Sequence, residues 1–265
     1  MIECKSPFNK LWEGKDPFHE VNLITGETYR HVKNRRTLQF FIDGESFFIK
    51  LHYGITITEI LKNIVSLRLP VLDARQEWNA IKHLEKHNIS TMDAYAVGVK
   101  GINPLTRQSF LITKDLNPAI SLEDYCRDWH TNKPSFNVKF KFIQELASVV
   151  SAMHASGLNH RDCYLCHFLL DENTYNADGK IKLYIIDLHR AQIRNKVPKR
   201  WRDKDLIGLY FSSLDIGLTN RDIYRFLKVY FRSNLRSIFQ SQIALIKKTK
   251  EKAAVIKERT ERRGL

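Results

Sequence analysis

The chain has 265 residues, 43% of them hydrophobic, enough material for one large core or two compact lobes. With 11 Gly and 7 Pro, a collagen-like or disordered composition is excluded. Against 29 Asp+Glu stand 43 Lys+Arg, and the net charge of +14 calls for an anionic partner: nucleic acid, a membrane face, a phosphorylated substrate or an acidic protein.

No run approaches the roughly 18 apolar residues of a membrane span. The opening residues, Met1 to Phe8, lack the apolar core of a secretory signal. Four Cys do not make a disulfide framework. The expectation is a soluble protein of a reducing compartment.

In chain order, the first 35 residues are polar and mixed, with turn signals at Asp16-Pro17 and Thr25-Gly26. Two β-like runs follow, 36–42 and 45–52, joined by Asp43-Gly44, a dipeptide that suits a hairpin turn with positive φ at both central positions. Period two puts Phe47, Ile49 and Leu51 on one face of the second run, and Phe48, Lys50 and His52 on the other. A helix is expected near 73–87. Asp73 and Gln76 resemble a capping box, Trp78, Ile81 and Leu84 form an apolar stripe, and Glu77 stands at the stripe's edge. Strands are expected at 92–99 and 108–113, after which 114–118 breaks the pattern and reads as a lobe boundary. Beyond it, a short helix opens at Ser121, and a long one runs over 136–156 to a stop at Gly157. The apolar runs 168–170 and 183–186 flank a turn at Asp178-Gly179 and read as a second hairpin. From Trp201 the pattern is helical and basic.

His160-Arg161-Asp162 stands in the loop after the long helix, and Asp187 ends the second hairpin. This order resembles the protein-kinase-like fold. There a strand Lys pairs with a helix Glu, a His-Arg-Asp loop supplies the base, and a later Asp holds metal. The matching positions are Lys50, Glu77, Asp162 and Asp187. Phosphoryl transfer spreads charge over phosphate oxygens, so a fixed cation and Mg²⁺ are needed to neutralise it. Lys50 would supply that cation, held by Glu77. Asp162 would orient the substrate hydroxyl and accept its proton, and Asp187 would ligate Mg²⁺.

The departures are specific. No Gly-x-Gly-x-x-Gly occurs; the turn Lys33-Asn34-Arg35-Arg36 precedes the first good strand, so cationic side chains, Arg35 and Arg36 among them, replace backbone cradling of ATP. Leu188-His189 follows Asp187 in place of Phe-Gly. His167 occupies the position five after Asp162, normally an Asn metal ligand.

A closer resemblance lies in the strings at 7–18, 160–168 (His-Arg-Asp-Cys-Tyr-Leu-Cys-His-Phe), 186–191 and 201–210. They resemble the lipopolysaccharide core heptose(I) kinase family of Gram-negative bacteria over nearly the whole chain. The resemblance implies ATP-dependent phosphorylation of the first inner-core heptose, with Asp162 as the catalytic residue and ATP and Mg²⁺ as cofactors. It implies a cytoplasmic location, peripheral at the inner membrane, and acyl carrier protein as a small acidic partner.

Other readings of the same residues compete. Cys163-x-x-Cys166-His167 has the form of a c-type haem attachment pattern, and with His154 and His160 it gathers zinc-type ligands; the plainer reading makes both thiols packing groups. Taken singly, Lys50 reads as an edge-strand gatekeeper, Glu77 as a solvated carboxylate, and Asp205 as a structural tie to the catalytic loop. Across 190–204 seven cations face Asp203 alone, which points to an anionic acceptor or a membrane contact. Across 247–263 eight cations face three Glu, the pattern of a solvated helix. No nucleic-acid-binding signature accompanies the charge, so nucleic acid is not expected as a partner. The fold expected is α+β and bilobal: a β-rich lobe over 1–113, a hinge at 114–120 and a helical lobe over 121–265. Two alternatives are a pseudokinase-type scaffold for an acidic partner and a protein kinase acting on a protein hydroxyl.

Overall fold

The computed structural model describes residues 1–32, 34–54 and 73–262. Lys33, counted with the basic turn, and Arg263, counted with the basic tail, lie outside the described residues. The chain divides into two compact units. One comprises Met1–Lys82, Met92–Asn117 and Leu188–Arg190; the other comprises His83–Thr91, Pro118–Asp187 and Ala191–Leu265.

The first unit is built on an antiparallel sheet of β1 (Ile2–Cys4), β2 (Glu27–Val32), β3 (Arg35–Ile42), β4 (Glu45–Tyr53), β5 (Ala94–Lys100) and β6 (Gln108–Lys114), in the order β1-β5-β6-β4-β3-β2. The β3–β4 hairpin turns at Asp43 and Gly44 with φ of 51° and 80°, the left-handed pair that a two-residue turn requires. Along β4, Phe47, Ile49 and Leu51 are buried while Phe48, Lys50 and His52 are half-buried on the other face. Lys50 is not on an edge. β4 is flanked by β3 and β6, and Lys50 pairs with Thr37 and Leu111.

The N-terminal segment, polar and mixed as a sequence, supplies two short helices, α1 (Phe8–Leu11) and α2 (Pro17–Leu23). Asp16 caps α2 by accepting from the Phe18 N–H at 2.9 Å, and Pro17 takes the first helical position, where its missing N–H costs nothing. Phe8, Trp12, Phe18 and Val21 join Phe40, Phe47 and Phe110 in one aromatic-rich core. α3 (Arg75–Lys86) buries Trp78, Ile81 and Leu84. Asp73 accepts from the Arg75 N–H at 3.0 Å, and its carboxylate takes guanidinium contacts from Arg75 and Arg107 at 2.7 and 2.8 Å.

The second unit is mainly helical. Its elements are β7 (Ala119–Ser121), α4 (Leu122–Tyr125), α5 (Phe136–Ala155), β8 (Leu158–Asn159), β9 (Phe168–Asp171), α6 (Glu172–Asp178), β10 (Leu183–Ile185), β11 (Gln192–Ile193), α7 (Lys199–Ser212), α8 (Asn220–Phe231) and α9 (Leu235–Glu261). Two small antiparallel sheets, β10-β9-β7 and β11-β8, are set among these helices. β9 and β10 pair, but the chain between them forms α6 where the sequence reads as a hairpin turn. Asp171 caps α6 at the Thr174 N–H, and Gly179 closes it in the left-handed region at φ 61°. The segment 115–118 forms no helix or strand, as its sequence leads one to expect, and lies between the end of β6 at Lys114 and the start of β7 at Ala119. α5 stops at Gly157, whose φ of 93° and close approach to the Arg194 carbonyl exclude a Cβ.

Candidate active site

In the first unit, Lys50 Nζ lies 2.7 Å from Glu77 Oε1. Glu77 is only 2% exposed, which removes the solvated-carboxylate reading. β4 fixes the cation on the face opposite the aromatic core, and α3 presents the carboxylate one residue before Trp78, the first buried residue of its stripe. Arg35 and Arg36 open β3, opposite His52 and Leu51 in the ladder. His52 is held neutral, its pKa pushed down to about 3 by burial and then by the Arg35 and Lys50 charges.

In the second unit, the loop from His160 to Asp162 hangs from a single buried carboxylate. Asp205, on α7, accepts the backbone N–H of His160 through Oδ2 at 2.7 Å and that of Arg161 through Oδ1 at 2.8 Å. His154 Nε2 lies 3.1 Å from the same Oδ2, and His154 Nδ1 lies 2.7 Å from the Tyr230 hydroxyl. This gives Asp205 the structural role that its sequence context proposes. His154 and Tyr230, from α5 and α8, extend the anchor. Nothing in the sequence marks those two, because they are 76 residues apart and meet only through helix packing. Gly208, one turn beyond Asp205, lets α7 approach the loop; a Cβ there would lie 2.9 Å from the Cys163 carbonyl oxygen.

Two of the site's residues adopt left-handed backbone, Arg161 at φ 75° and Asp187 at φ 59°. Asp tolerates that region through its short polar side chain, whereas Arg does not favour it, and the Asp205 bond helps to hold Arg161 there.

His160 is fully buried, and its Nε2 donates to the Ile186 carbonyl at 2.9 Å. Burial and then the neighbouring His167 push its pKa down, so the ring is neutral. It stacks on His167 at 5.3 Å with 6° between ring planes. His167 Nδ1 lies 2.7 Å from the Asp162 carbonyl, which can only accept, so Nδ1 carries hydrogen. Nε2 faces Asp187 Oδ2 at 3.5 Å, a pairing that one positive charge between them satisfies, whether a proton on Nε2 or a shared metal cation. The donor set, one carboxylate oxygen and one imidazole nitrogen, fits a divalent ion whose remaining ligands are phosphate oxygens and water.

Each of the ligands assembled by the zinc reading is occupied in another way. His154 and His160 make the bonds just described. Burial raises the Cys163 thiol well above its usual pKa and pushes Cys166 up to about 11, so both remain protonated. Among the described residues, no group of three or more His, Cys, Asp or Glu side chains is placed to hold a metal ion.

The family model for lipopolysaccharide kinases (Kdo/WaaP) matches residues 20–230. The chain belongs to this Kdo/WaaP family. It is 55% identical over 265 residues, all of both chains, to the lipopolysaccharide core heptose(I) kinase WaaP of Escherichia coli. It is 45% identical over 263 residues to the protein of the same name from Pseudomonas aeruginosa, covering 99% of this chain and 98% of that one. A solved structure, WaaP in complex with acyl carrier protein, superposes with a TM-score of 0.85 at 41% identity, covering 96% of this chain and 98% of the other. The fold is thus the α+β, kinase-like fold of the Kdo/WaaP family. The missing Gly-rich loop and His167 are features of a family member and do not argue against kinase activity.

Proposed function

We infer that this chain is an ATP-dependent lipopolysaccharide core heptose(I) kinase that phosphorylates a hydroxyl of the first inner-core heptose. Full-length identity to heptose(I) kinases supports the substrate, and the anchoring of the Asp162 loop on Asp205 is the observation that carries the mechanism. The heptose oxygen attacks the γ-phosphorus, the bond to the β-phosphate oxygen breaks, and ADP leaves. Asp162 orients the hydroxyl and accepts its proton. Lys50, fixed by Glu77, binds phosphate oxygens, and Arg35 and Arg36 provide cationic cover in place of a Gly-rich loop. Asp187 and His167 would hold Mg²⁺, which supplies charge neutralisation at the phosphates.

The domain reading follows the same logic, with a nucleotide-holding lobe over 1–113, a hinge at 114–120 and a lobe over 121–265 that carries the acceptor chemistry. Acyl carrier protein, seen with the 41%-identical relative, is proposed as a partner, and the net charge of +14 suits an acidic one. No helix is long and apolar enough to cross a membrane among the described residues. A cytoplasmic enzyme, peripheral at the inner face of the inner membrane, is the location consistent with a lipid-linked acceptor.

Asp162→Ala provides the test. It should abolish transfer of label from ATP to heptose-containing core while leaving the melting curve unchanged. Retained labelling would remove Asp162 from the mechanism. Nucleotide binding by the wild type without turnover on any acceptor would instead favour a scaffold.

A further inference from the structure

The face of the first unit's sheet that carries Lys50 also carries aromatic surface that the core does not use. Along β4, Phe48, Lys50 and His52 share this face, and their direct partners on β3 are Gln39, Thr37 and Arg35. Phe48 is half-buried there, while Phe40, Phe47 and Phe110 fill the opposite side. Tyr29, 59% exposed, sets its ring against Phe48 with centroids 5.1 Å apart and 80° between planes. An edge-to-face pair of this kind gains from the ring quadrupoles and leaves the face of one ring open to a third flat group.

Tyr29 reaches this position through an irregularity in the sheet. β2 pairs with β3 by Thr28 opposite Leu38 and then Arg30 opposite Thr37, so Tyr29 is the extra residue of a β-bulge. Its hydroxyl donates to Gln39 Oε1 at 3.3 Å. Gln39 Nε2 in turn donates to Ser46 Oγ at 3.0 Å and to Asp115 Oδ2 at 2.9 Å, and Ser46 Oγ donates to the same Asp115 oxygen at 2.8 Å. The Asp115 N–H closes the network on the Ser46 carbonyl at 3.0 Å. Gln39, Ser46 and Asp115 thus satisfy one another and brace the Tyr29 ring. β2 is an edge strand, and a ring fixed there while mostly exposed is preorganised for a ligand without contributing to the core.

Successive residues on one strand face are about 7 Å apart, so Phe48 stands one such step from Lys50, and Arg35, opposite His52, stands one step beyond it. A molecule laid along this face meets flat apolar surface first and cations next, the order of base and phosphates in a nucleoside triphosphate. We propose that Phe48, backed by Tyr29, is the platform on which the purine base of ATP stacks, with the ribose spanning the step to Lys50. A stacked base covers aromatic area that otherwise faces water. The proposal rests on the reading of Lys50 as the phosphate-binding cation and deepens it, by naming the residues that favour a nucleotide over a bare polyphosphate.

Isothermal titration calorimetry of the full chain, with ATP and separately with tripolyphosphate in the presence of Mg²⁺, provides the test. Phe48→Ala should raise the Kd for ATP about tenfold or more, the worth of one base–aromatic stack, and leave the Kd for tripolyphosphate within about twofold of wild type. Tyr29→Ala should raise the Kd for ATP by a smaller factor, since it removes only the support of the Phe48 ring. An unchanged Kd for ATP in Phe48→Ala would overturn the proposal. An equal rise for ATP and tripolyphosphate would overturn it too, because the substitution would then act on the phosphate end and not on the base. If Phe48→Ala does not fold, Tyr29→Ala on the edge strand decides alone, and an unchanged Kd for ATP there counts against the platform. A wild type that binds ATP no more tightly than tripolyphosphate would also sink the platform, while labelling of heptose-containing core would keep the kinase reading. Conversely, ATP binding without turnover on a heptose acceptor would remove the substrate reading, and the two titrations would still decide the role of Phe48.

Discussion

Asp205 Oδ1 accepts the backbone N–H of Arg161 at 2.8 Å while Arg161 is held at φ 75°, so a buried carboxylate on one helix secures the residue that precedes the proposed base. Its second oxygen does the same for His160. Asp205→Asn replaces one acceptor with an NH₂ donor that faces a backbone donor. The cost of an unsatisfied buried group is about 1–3 kcal/mol. The melting temperature should fall by about 2–4 °C for each kcal/mol in a chain of this size. Misplacing the loop should lower kcat by about a hundredfold. Differential scanning calorimetry together with turnover measurement checks both, and a variant with lowered Tm and full kcat would separate the anchor from catalysis.

The Lys50–Glu77 pair allows stability and activity to be tested apart. Glu77 is 2% exposed and Lys50 25%, so Lys50→Met alone leaves a buried carboxylate without its cation, at a cost of about 3–5 kcal/mol. Lys50→Met/Glu77→Leu, with an apolar pair in the same space, should recover most of that loss in a urea melt. Its phosphoryl transfer should remain depressed by at least about a hundredfold, since nothing replaces the cation at the phosphates. Restored activity in the double variant would mean that the pair is structural only.

Acid sensitivity follows from His52. Its pKa falls from 6.5 in the unfolded chain to about 3 in the folded one, so the unfolded state takes up the proton first as pH drops. The stability linked to this residue is complete above pH 6.5 and is lost as pH falls towards about 3. His52→Gln should flatten the dependence of the urea midpoint on pH across that window. A slope unchanged from wild type would show that His52 titrates normally.

The thiols give an alkaline counterpart. Cys166 is pushed up to about 11 and Cys126 to about 12, both from 9.0 and both by burial first. Folded Cys166 at pH 8 should be thiolate in only about one part in a thousand. Alkylation by iodoacetamide at that pH should therefore be slower than that of glutathione and should accelerate on unfolding. Because the unfolded thiols ionise first, stability linked to them is present below pH 9.0 and is lost as pH rises towards about 11–12. Rapid alkylation of native protein at pH 8, located to Cys163 or Cys166 by mass spectrometry, would contradict the assignment of these thiols as packing groups.

What could be read from the sequence was whatever repeats at short range. Alternation along 45–52 separates Phe47, Ile49 and Leu51 from Lys50, and a three-residue stripe places Glu77 beside Trp78; both arrangements are found in the structure. The N-terminal helices have 4 and 7 residues, too few to show a helical period. Asp16-Pro17, taken as a turn signal, is the N-cap and first residue of α2. In the same way Asp171 and Gly179, the two ends of α6, were obscured by the turn-like Asp178-Gly179 between two apolar runs. The His154–Tyr230 extension leaves no local trace, since helix packing assembles it from residues 76 apart, just as it brings Arg161 to the Trp201 ring. A lone cation in an apolar run, as Lys50 is, reads as an edge-strand residue. Its pairing with β6, a strand from later in the chain, makes β4 central.

His167 has one ring nitrogen on the Asp162 carbonyl and the other facing Asp187. The position of the proposed base and the geometry of the carboxylate proposed to hold the cation therefore share one rigid imidazole, and neither can be adjusted alone. Variation at position 167 is genetically inseparable into a metal effect and a base effect. Its substitutions should combine with changes at Asp162 or Asp187 epistatically, which leaves few single-step routes by which this site could drift.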